Sequence, residues 1–116
     1  MAGGSSLYGI RNVPQNFNPR RDGPALLFFV LEGCPWCVRL KPVMNRVAAT
    51  LGTVIPTYKV DSSSKLASAF KVSGYPTIIY IDNMGSGSVY KGERTVDAIT
   101  GFVCTRTANR LSVCRR

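Results

Sequence analysis

The spacing of apolar residues changes at Pro35, and this change predicts a strand followed by a long helix. Ala25–Leu31 is a continuous apolar run bounded by glycine and proline, a pattern typical of a strand buried on both faces. From Pro35 onward the apolar residues follow helical spacing, with polar residues on the other side. Gly52 is the expected end of this helix. The strand is expected at the centre of a sheet.

The later apolar segments predict three more strands. They are expected at Ile55–Val60, Thr77–Ile81 and Val89–Lys91. The turn-rich loop Asn83–Ser88 joins the last two, which predicts an antiparallel hairpin.

Two more helices are predicted from their capping residues and apolar stripes. Polar residues 61–64 are expected to cap a short helix whose inward side chains are Leu66, Ala69 and Phe70. Thr95 is expected to cap the last helix. Its apolar stripe is Val96, Ile99 and Val103, continued by Ala108 and Leu111.

The order strand, helix, strand, helix, strand, strand, helix predicts the α/β class. We expect a mixed sheet of four to five strands flanked by helices, because two right-handed parallel crossovers precede the hairpin. Residues 1–24 form an N-terminal arm or edge strand in this interpretation, residues 25–104 the domain, and residues 105–116 a basic tail.

Length and composition limit the classes of protein that fit. The 116 residues and 12.6 kDa suit one domain. Hydrophobic residues make up 45% and charged residues 18%, outside the range of disordered chains. No apolar run reaches the roughly 18 residues of a membrane-spanning helix, and the first 24 residues show no secretory signal. We therefore expect no membrane association and a cytoplasmic location.

The net charge of +9 raises the question of an anionic partner. Arg106, Arg110, Arg115 and Arg116 lie near the C-terminus without an acidic neighbour. One alternative is a non-catalytic binding or packaging module whose basic tail holds nucleic acid or a particle. The absence of aromatic residues among these arginines favours a solvated tail instead.

The four cysteines and the absence of histidine restrict the site chemistry to redox reactions or metal binding. Zinc sites need a second close ligand pair, whereas nine residues separate Cys104 from Cys114. We therefore expect no metal. A continuous helix would separate these two cysteines by about 15 Å, so a disulfide between them requires the tail to fold back. Spare thiols are the expectation here.

Cys34 and Cys37 form a Cys-x-x-Cys motif where the apolar strand meets the helix. Pro35 suits the first helical turn, where its missing N–H is not needed. The partial positive charge of a helix N-terminus favours the thiolate of Cys34, which is expected to be the nucleophile. Cys37 lies one turn later on the apolar stripe and is expected to resolve the mixed disulfide.

The segment LLFFVLEGCPWCVRLKP combines the strand, the two cysteines and Pro42, and KLASAFKVSGYPTIIYID and YKGERTVDAITGFV follow it. In these features the chain resembles the thioredoxin superfamily, including protein disulfide-isomerase catalytic domains, over about residues 25–103. The resemblance implies a thioredoxin fold and a protein-disulfide oxidoreductase. It also implies a redox-active disulfide that serves electron transport and cell redox homeostasis without a cofactor.

The resemblance also implies a substrate-docking surface. Pro76 is expected to follow a cis peptide bond and to pack against the sulfur of Cys34. The backbone of Tyr75 would then offer main-chain hydrogen bonds to an extended substrate. The residues expected to line this surface are Trp36, Gly74, Tyr75, Pro76 and Gly92. Pro42 is expected to kink the helix.

Some positions depart from the family pattern. Phe28 stands where thioredoxins carry a buried carboxylate that accepts the proton of the second cysteine. We expect water or Lys59 to take over this proton transfer. Pro35-Trp36 between the cysteines is similar to glutaredoxins, but the glutathione-binding Thr-Val-Pro is replaced by Gly74-Tyr75-Pro76.

The sequence thus predicts an enzyme that reduces protein disulfides and depends on a recycling reductase. The alternatives are a disulfide oxidase or isomerase coupled to a thiol oxidase, and a glutaredoxin-like activity. The sequence does not distinguish the direction of electron flow, because redox potential depends on how strongly the fold stabilises the Cys34 thiolate.

Overall fold

The computed structural model of the chain describes residues 9–115. It confirms the central predicted strand. The strands of its single sheet are β1 (Arg11–Asn12), β2 (Ala25–Val30), β3 (Thr57–Asp61), β4 (Thr77–Ile81) and β5 (Gly87–Val89). The helices are α1 (Pro19–Asp22), α2 (Pro35–Leu51), α3 (Lys65–Ala69) and α4 (Val96–Arg106), followed by a 3₁₀ helix at Ser112–Arg115.

The five strands follow the order β1-β3-β2-β4-β5 and form a mixed sheet, as predicted. β2 pairs in parallel with β3, with Phe28 opposite Lys59. On its other side β2 pairs antiparallel with β4, with Phe28 opposite Ile78. The first crossover, from β2 through α2 to β3, is therefore parallel as predicted.

The second predicted parallel crossover is wrong. After β3, the chain passes through the short α3 and crosses to the far side of β2, where β4 runs antiparallel. The reversal gives the apolar β4 a paired strand on each edge, β2 and β5. The hairpin of β4 and β5 is confirmed.

Both faces of β2 are buried, which explains its uninterrupted apolar sequence. Leu26 and Phe28 face one hydrophobic cluster, formed with α2 and α4. Leu27 and Phe29 face a second cluster, formed with α3 and the other face of β4. All four side chains are at most 1% exposed. Since strand side chains alternate between faces, the sheet separates two apolar layers and β2 belongs to both.

α2 begins and ends where the sequence predicts. Cys34 is its N-cap, and Gly52 ends it with φ of 64°, a left-handed conformation that favours glycine. The helix continues through Pro42, which has no N–H to donate within it. Its buried side chains are Cys37, Leu40, Met44, Val47, Ala48 and Leu51.

Some element boundaries and one inward residue differ from the predictions. β3 begins at Thr57, two residues after the predicted start at Ile55. The carbonyl of Pro56 accepts the N–H of Leu26, but proline has no N–H to donate to the strand ladder. β5 begins inside the predicted loop, at Gly87. In α3 the buried alanine is Ala67, and Ala69 is exposed, so the inward assignment of Ala69 is wrong.

The C-terminal segment also differs from the prediction. α4 ends at Arg106, and Ala108 and Asn109 adopt left-handed φ values of 54° and 56° that reverse the chain. This reversal brings the Cα atoms of Cys104 and Cys114 to 5.6 Å, and the two cysteines form a disulfide. The expectation of spare thiols, which assumed that the tail does not fold back, is therefore wrong.

The described N-terminal residues add β1, which pairs in parallel with the edge of β3 through Arg11 and Tyr58. Residues 1–8, including the apolar Leu7, and the last arginine of the tail, Arg116, lie outside the described residues. Within residues 9–115, no helix has the length and apolar character needed to cross a bilayer. The division into arm, domain and tail stays a prediction.

Replacing Met44 by alanine tests the layer between β2 and α2. Met44 is 0% exposed and belongs to the cluster that covers Leu26 and Phe28. We expect Met44→Ala to lower the free energy of unfolding by about 2–5 kcal/mol, because it leaves a cavity. On the same helix Val38 is 69% exposed, so Val38→Ala is the control and is expected to change stability by no more than about 0.5 kcal/mol. Equal urea midpoints for the two variants would contradict this packing.

Candidate active site

The two cysteines of the motif lie where the sequence places them, at the start of α2. Cys34 and Cys37 form a disulfide, with their Cα atoms 5.3 Å apart. Cys34 has extended backbone angles as the N-cap, and its Sγ accepts a hydrogen bond of 3.1 Å from the N–H of Cys37. This N–H of the first helical turn, which has no acceptor within the helix, favours negative charge on the Cys34 sulfur once the disulfide is reduced.

The two sulfurs differ in accessibility. Cys37 is 6% exposed and forms part of the apolar face of α2, whereas Cys34 is only half-buried. An incoming disulfide therefore reaches Cys34 more easily than Cys37. The order of attack predicted from the sequence agrees with this difference in burial.

The turn before β4 lies against the cysteine pair. The peptide bond between Tyr75 and Pro76 is cis, as the resemblance implies. The Sγ of Cys34 lies 3.9 Å from the carbonyl oxygen of Tyr75. The hydroxyl of Thr77 donates to the carbonyl of Gly74 over 2.6 Å and holds this turn. The turn that contains Gly74, Tyr75 and Pro76, three of the predicted docking residues, thus brings the carbonyl of Tyr75 beside the reactive sulfur, and their docking role stays a prediction.

Exposed apolar side chains surround the motif. Trp36 is 58% exposed, Val38 69% and Leu31 46%; we call these three residues the apolar rim. The guanidinium of Arg39 lies 4.8 Å from the centre of the Trp36 ring, a distance that permits a cation–π interaction. The rim combines apolar surface with a positive charge.

A cleft of about 200 Å³ lies beside the cysteines, and Leu31 and Val38 of the apolar rim also line it. Phe28 and Lys59, which are opposite each other on β2 and β3, line it together with both cysteines. Phe28 is 1% exposed, so an aromatic ring fills the place of the family's buried carboxylate. Glu32 and Lys41 also line the cleft. Lys59 and Cys37 thus line the same cleft, and the role of Lys59 or of water in proton transfer stays a prediction.

The structure does not bring every predicted residue to the cysteines. Gly92 lies in the exposed turn after β5, beside the side chain of Tyr90, and its docking role stays a prediction. Arg39, Lys41 and Glu32 are further residues near the cysteines that the sequence pattern did not predict as part of the site. Helical spacing contains a signal for two of them, because residues three and four positions apart lie on one helix face. These pairs are Trp36 with Arg39 and Cys37 with Lys41.

Sequence comparisons place the chain among known proteins. A mitochondrial thioredoxin domain-containing protein of Schizosaccharomyces pombe is 26% identical over an alignment of 125 positions, which covers 96% of this chain and 34% of that protein. Protein disulfide-isomerase A3 of Gallus gallus is 39% identical over 86 residues, covering 72% of this chain and 17% of that protein. The chain thus spans only a minor part of the length of these curated relatives.

Solved structures with the same fold include single thioredoxin domains. The first thioredoxin domain of mouse protein disulfide-isomerase A4 superposes with a TM-score of 0.62 at 32% identity, covering 76% of this chain and 64% of that chain. A mutant thioredoxin from Halobacterium salinarum superposes with a TM-score of 0.66 at 24% identity, covering 83% and 87% of the two chains. The second likeness shows the fold alone.

A family model described as Thioredoxin matches residues 11–105. The match spans all five strands and nearly all of α4. Together with the Cys34–Cys37 disulfide at the start of α2, it supports thiol–disulfide oxidoreductase chemistry at this site. The chain belongs to the thioredoxin family.

Proposed function

We propose that this chain is a protein-disulfide oxidoreductase that reduces its substrates through Cys34 and Cys37. One observation carries the proposal: a half-buried sulfur accepts a helix N-terminal N–H while its partner sulfur, one turn later, is buried. This arrangement separates a nucleophile from a resolving thiol. No cofactor takes part, because the two cysteines supply and accept both electrons.

The reaction proceeds in two exchange steps. The Cys34 thiolate attacks one sulfur of the substrate disulfide, and the other substrate sulfur leaves as a thiolate that takes a proton. The Cys37 thiol then loses its proton and attacks Cys34. This second step releases the substrate as a dithiol and leaves Cys34 and Cys37 oxidised. A separate reductase must return two electrons before the next cycle.

The surface around the cysteines supports an extended protein segment as the substrate. Among residues 9–115, the backbone N–H of Tyr75 donates to no protein acceptor, and its carbonyl lies beside the reactive sulfur. Backbone groups of this kind pair with a strand-like peptide whatever its sequence. The apolar rim adds contact area, and Arg39 favours substrates with an acidic residue near the disulfide.

The residues between Cys34 and Cys37 support the reducing direction. A more stabilised thiolate makes a Cys-x-x-Cys pair more oxidising. The chain has no histidine, and the residues between the cysteines, Pro35 and Trp36, carry no charge. Within the motif, the Cys34 thiolate is stabilised by the hydrogen bond from the Cys37 N–H. A weakly stabilised thiolate corresponds to a low potential and hence to a reductase.

The second candidate is a disulfide isomerase or oxidase. It is favoured by the 39% identity with protein disulfide-isomerase A3. As an oxidase, the Cys34–Cys37 pair would be kept oxidised by a thiol oxidase, whereas isomerisation would start from the reduced Cys34 thiolate. The same two cysteines and the same surface serve both directions, so the potential of the pair decides between them.

Replacing each cysteine separately tests the two roles. We expect Cys34→Ser to abolish insulin reduction, because the nucleophile is lost. Cys37→Ser is expected to accumulate a mixed disulfide between Cys34 and the substrate, visible by mass spectrometry, because the resolving thiol is lost. Cys104→Ser/Cys114→Ser is the control and is expected to retain activity. Insulin reduction that survives Cys34→Ser would refute the proposed enzyme.

Replacing Lys59 tests the route of the Cys37 proton. We propose that the Lys59 ammonium stabilises the Cys37 thiolate while the proton leaves to water in the cleft. Lys59→Met keeps the aliphatic bulk and is expected to slow the resolution of the mixed disulfide about tenfold or more at pH 7. The defect should shrink as the pH rises, because ionisation of the thiol then depends less on a nearby positive charge.

Lys41→Met provides the matched control for Lys59, because Lys41 lines the same cleft. We expect it to resolve the mixed disulfide at nearly the wild-type rate in quenched-flow measurements. Equal rates for wild type and Lys59→Met across the pH range would assign the proton transfer to water alone.

A further inference from the structure

The disulfide between Cys104 and Cys114 joins the last turn of α4 to the 3₁₀ helix at the C-terminus. It is separate from the Cys34–Cys37 pair, and both of its cysteines are half-buried. We propose that Cys104–Cys114 is a second redox site, at which thiol–disulfide exchange releases the C-terminal segment, residues 107–115, from the domain. The proposal goes beyond the function of the Cys34–Cys37 pair and does not depend on it.

The hydrogen bonds of the C-terminal segment do not tie its end to the domain. The first residues of the segment continue the end of α4, as the N–H of Asn109 donates to the carbonyl of Cys104. Beyond Asn109, the backbone bonds stay inside the segment, from Arg110 to Thr107 and from Cys114 to Leu111. The guanidinium of Arg115 likewise donates within the segment, to the carbonyls of Asn109 and Arg110.

Two residues of the segment, Arg110 and Leu111, interact with the domain. Leu111 is partly buried and packs against the cluster that includes Ile55 and Tyr80. Burial raises the pKa of the Tyr80 hydroxyl, Asp82 adds to this shift, and the positive charge of Arg110 opposes it. One apolar side chain and one long-range charge thus supplement the disulfide.

The backbone of the segment opposes its folded-back path. Ala108 and Asn109 both have positive φ, a region that is unfavourable for residues with a Cβ, more so for alanine than for asparagine. Two such residues in succession produce the reversal that brings Cys114 to Cys104. When the covalent link opens, the chain can leave this conformation.

The exchange needs only an external dithiol as reductant. One thiolate of the dithiol attacks a sulfur of Cys104–Cys114, and the other sulfur leaves as a thiolate and takes a proton. The second thiol of the reductant then displaces the remaining cysteine. The reductant ends as a disulfide, and Cys104 and Cys114 end as two thiols.

The compartment decides how often the site opens. In reducing compartments disulfides are usually transient and are catalytic or redox-sensing, whereas they persist in oxidising ones. In the predicted cytoplasmic location, the Cys104–Cys114 disulfide would therefore open and close with the redox state of the cytoplasm. Opening it would free a segment that carries Arg110 and Arg115 and would uncover the end of the core near Leu111.

Limited trypsin digestion tests the proposal on the full chain. We would use Cys34→Ser/Cys37→Ser protein, so that the active-site cysteines cannot exchange. Alkylation of the oxidised protein should show Cys104 and Cys114 blocked as a disulfide. Without denaturant, dithiothreitol should open it and accelerate cleavage after Arg110 about tenfold or more, because proteolysis follows the population of the open form. Cleavage after Lys71, in the domain, serves as the internal reference and should not change.

A variant in which all four cysteines are serine is the matched control. It should be cut after Arg110 at the fast rate with or without dithiothreitol, while cleavage after Lys71 stays slow. The proposal is overturned if the oxidised protein contains no Cys104–Cys114 bond, if the bond opens only in denaturant, or if its opening leaves the rate at Arg110 unchanged. The first two results come from the double variant alone, so they do not depend on the folding of the control.

Discussion

Burial of β2 on both faces is the constraint on which the rest of the structure depends. Leu26 and Phe28 require a cover of α2 and α4, and Leu27 and Phe29 require a cover on the opposite side. The strand must therefore lie inside the sheet, between β3 and β4. Because α2 packs over the strand it follows, the connection between them is short, and Cys34 lies in it at the helix N-terminus. The reactive sulfur is positioned by the packing of the core.

The same packing explains how the site departs from the family pattern. With Phe28 at 1% exposure, the interior beside Cys37 holds an aromatic ring in place of a carboxylate. The ionisable groups near the cysteines, Lys59, Lys41 and Glu32, instead line a cleft beside them. The buried side of the site, with Phe28, thus stabilises the sheet. The charged side chains lie in the cleft that is open to water.

Much of this structure follows from patterns that are local in sequence. The apolar run of β2, the helical stripe of α2 and its glycine end predict those elements, and the cysteine spacing with Pro76 predicts the centre of the site. The predictions that were wrong depend on contacts between segments that are distant in the sequence. The path from β3 to β4 is set by which edge of β2 is free, and helical spacing carried past Arg106 could not reveal the reversal at Ala108 and Asn109. The disulfide of Cys104 and Cys114 depends on that reversal.

The redox potential of the Cys34–Cys37 pair tests the central claim most directly. Protein with Cys104→Ser/Cys114→Ser would be equilibrated in buffers of defined thiol–disulfide potential and read by thiol trapping and by the fluorescence of Trp36, the only tryptophan. A weakly stabilised Cys34 thiolate predicts a potential near that of thioredoxin, about −270 mV. A value of about −180 mV or higher would contradict a reductase and support an isomerase or oxidase. No measurable couple would contradict thiol–disulfide exchange at this site altogether.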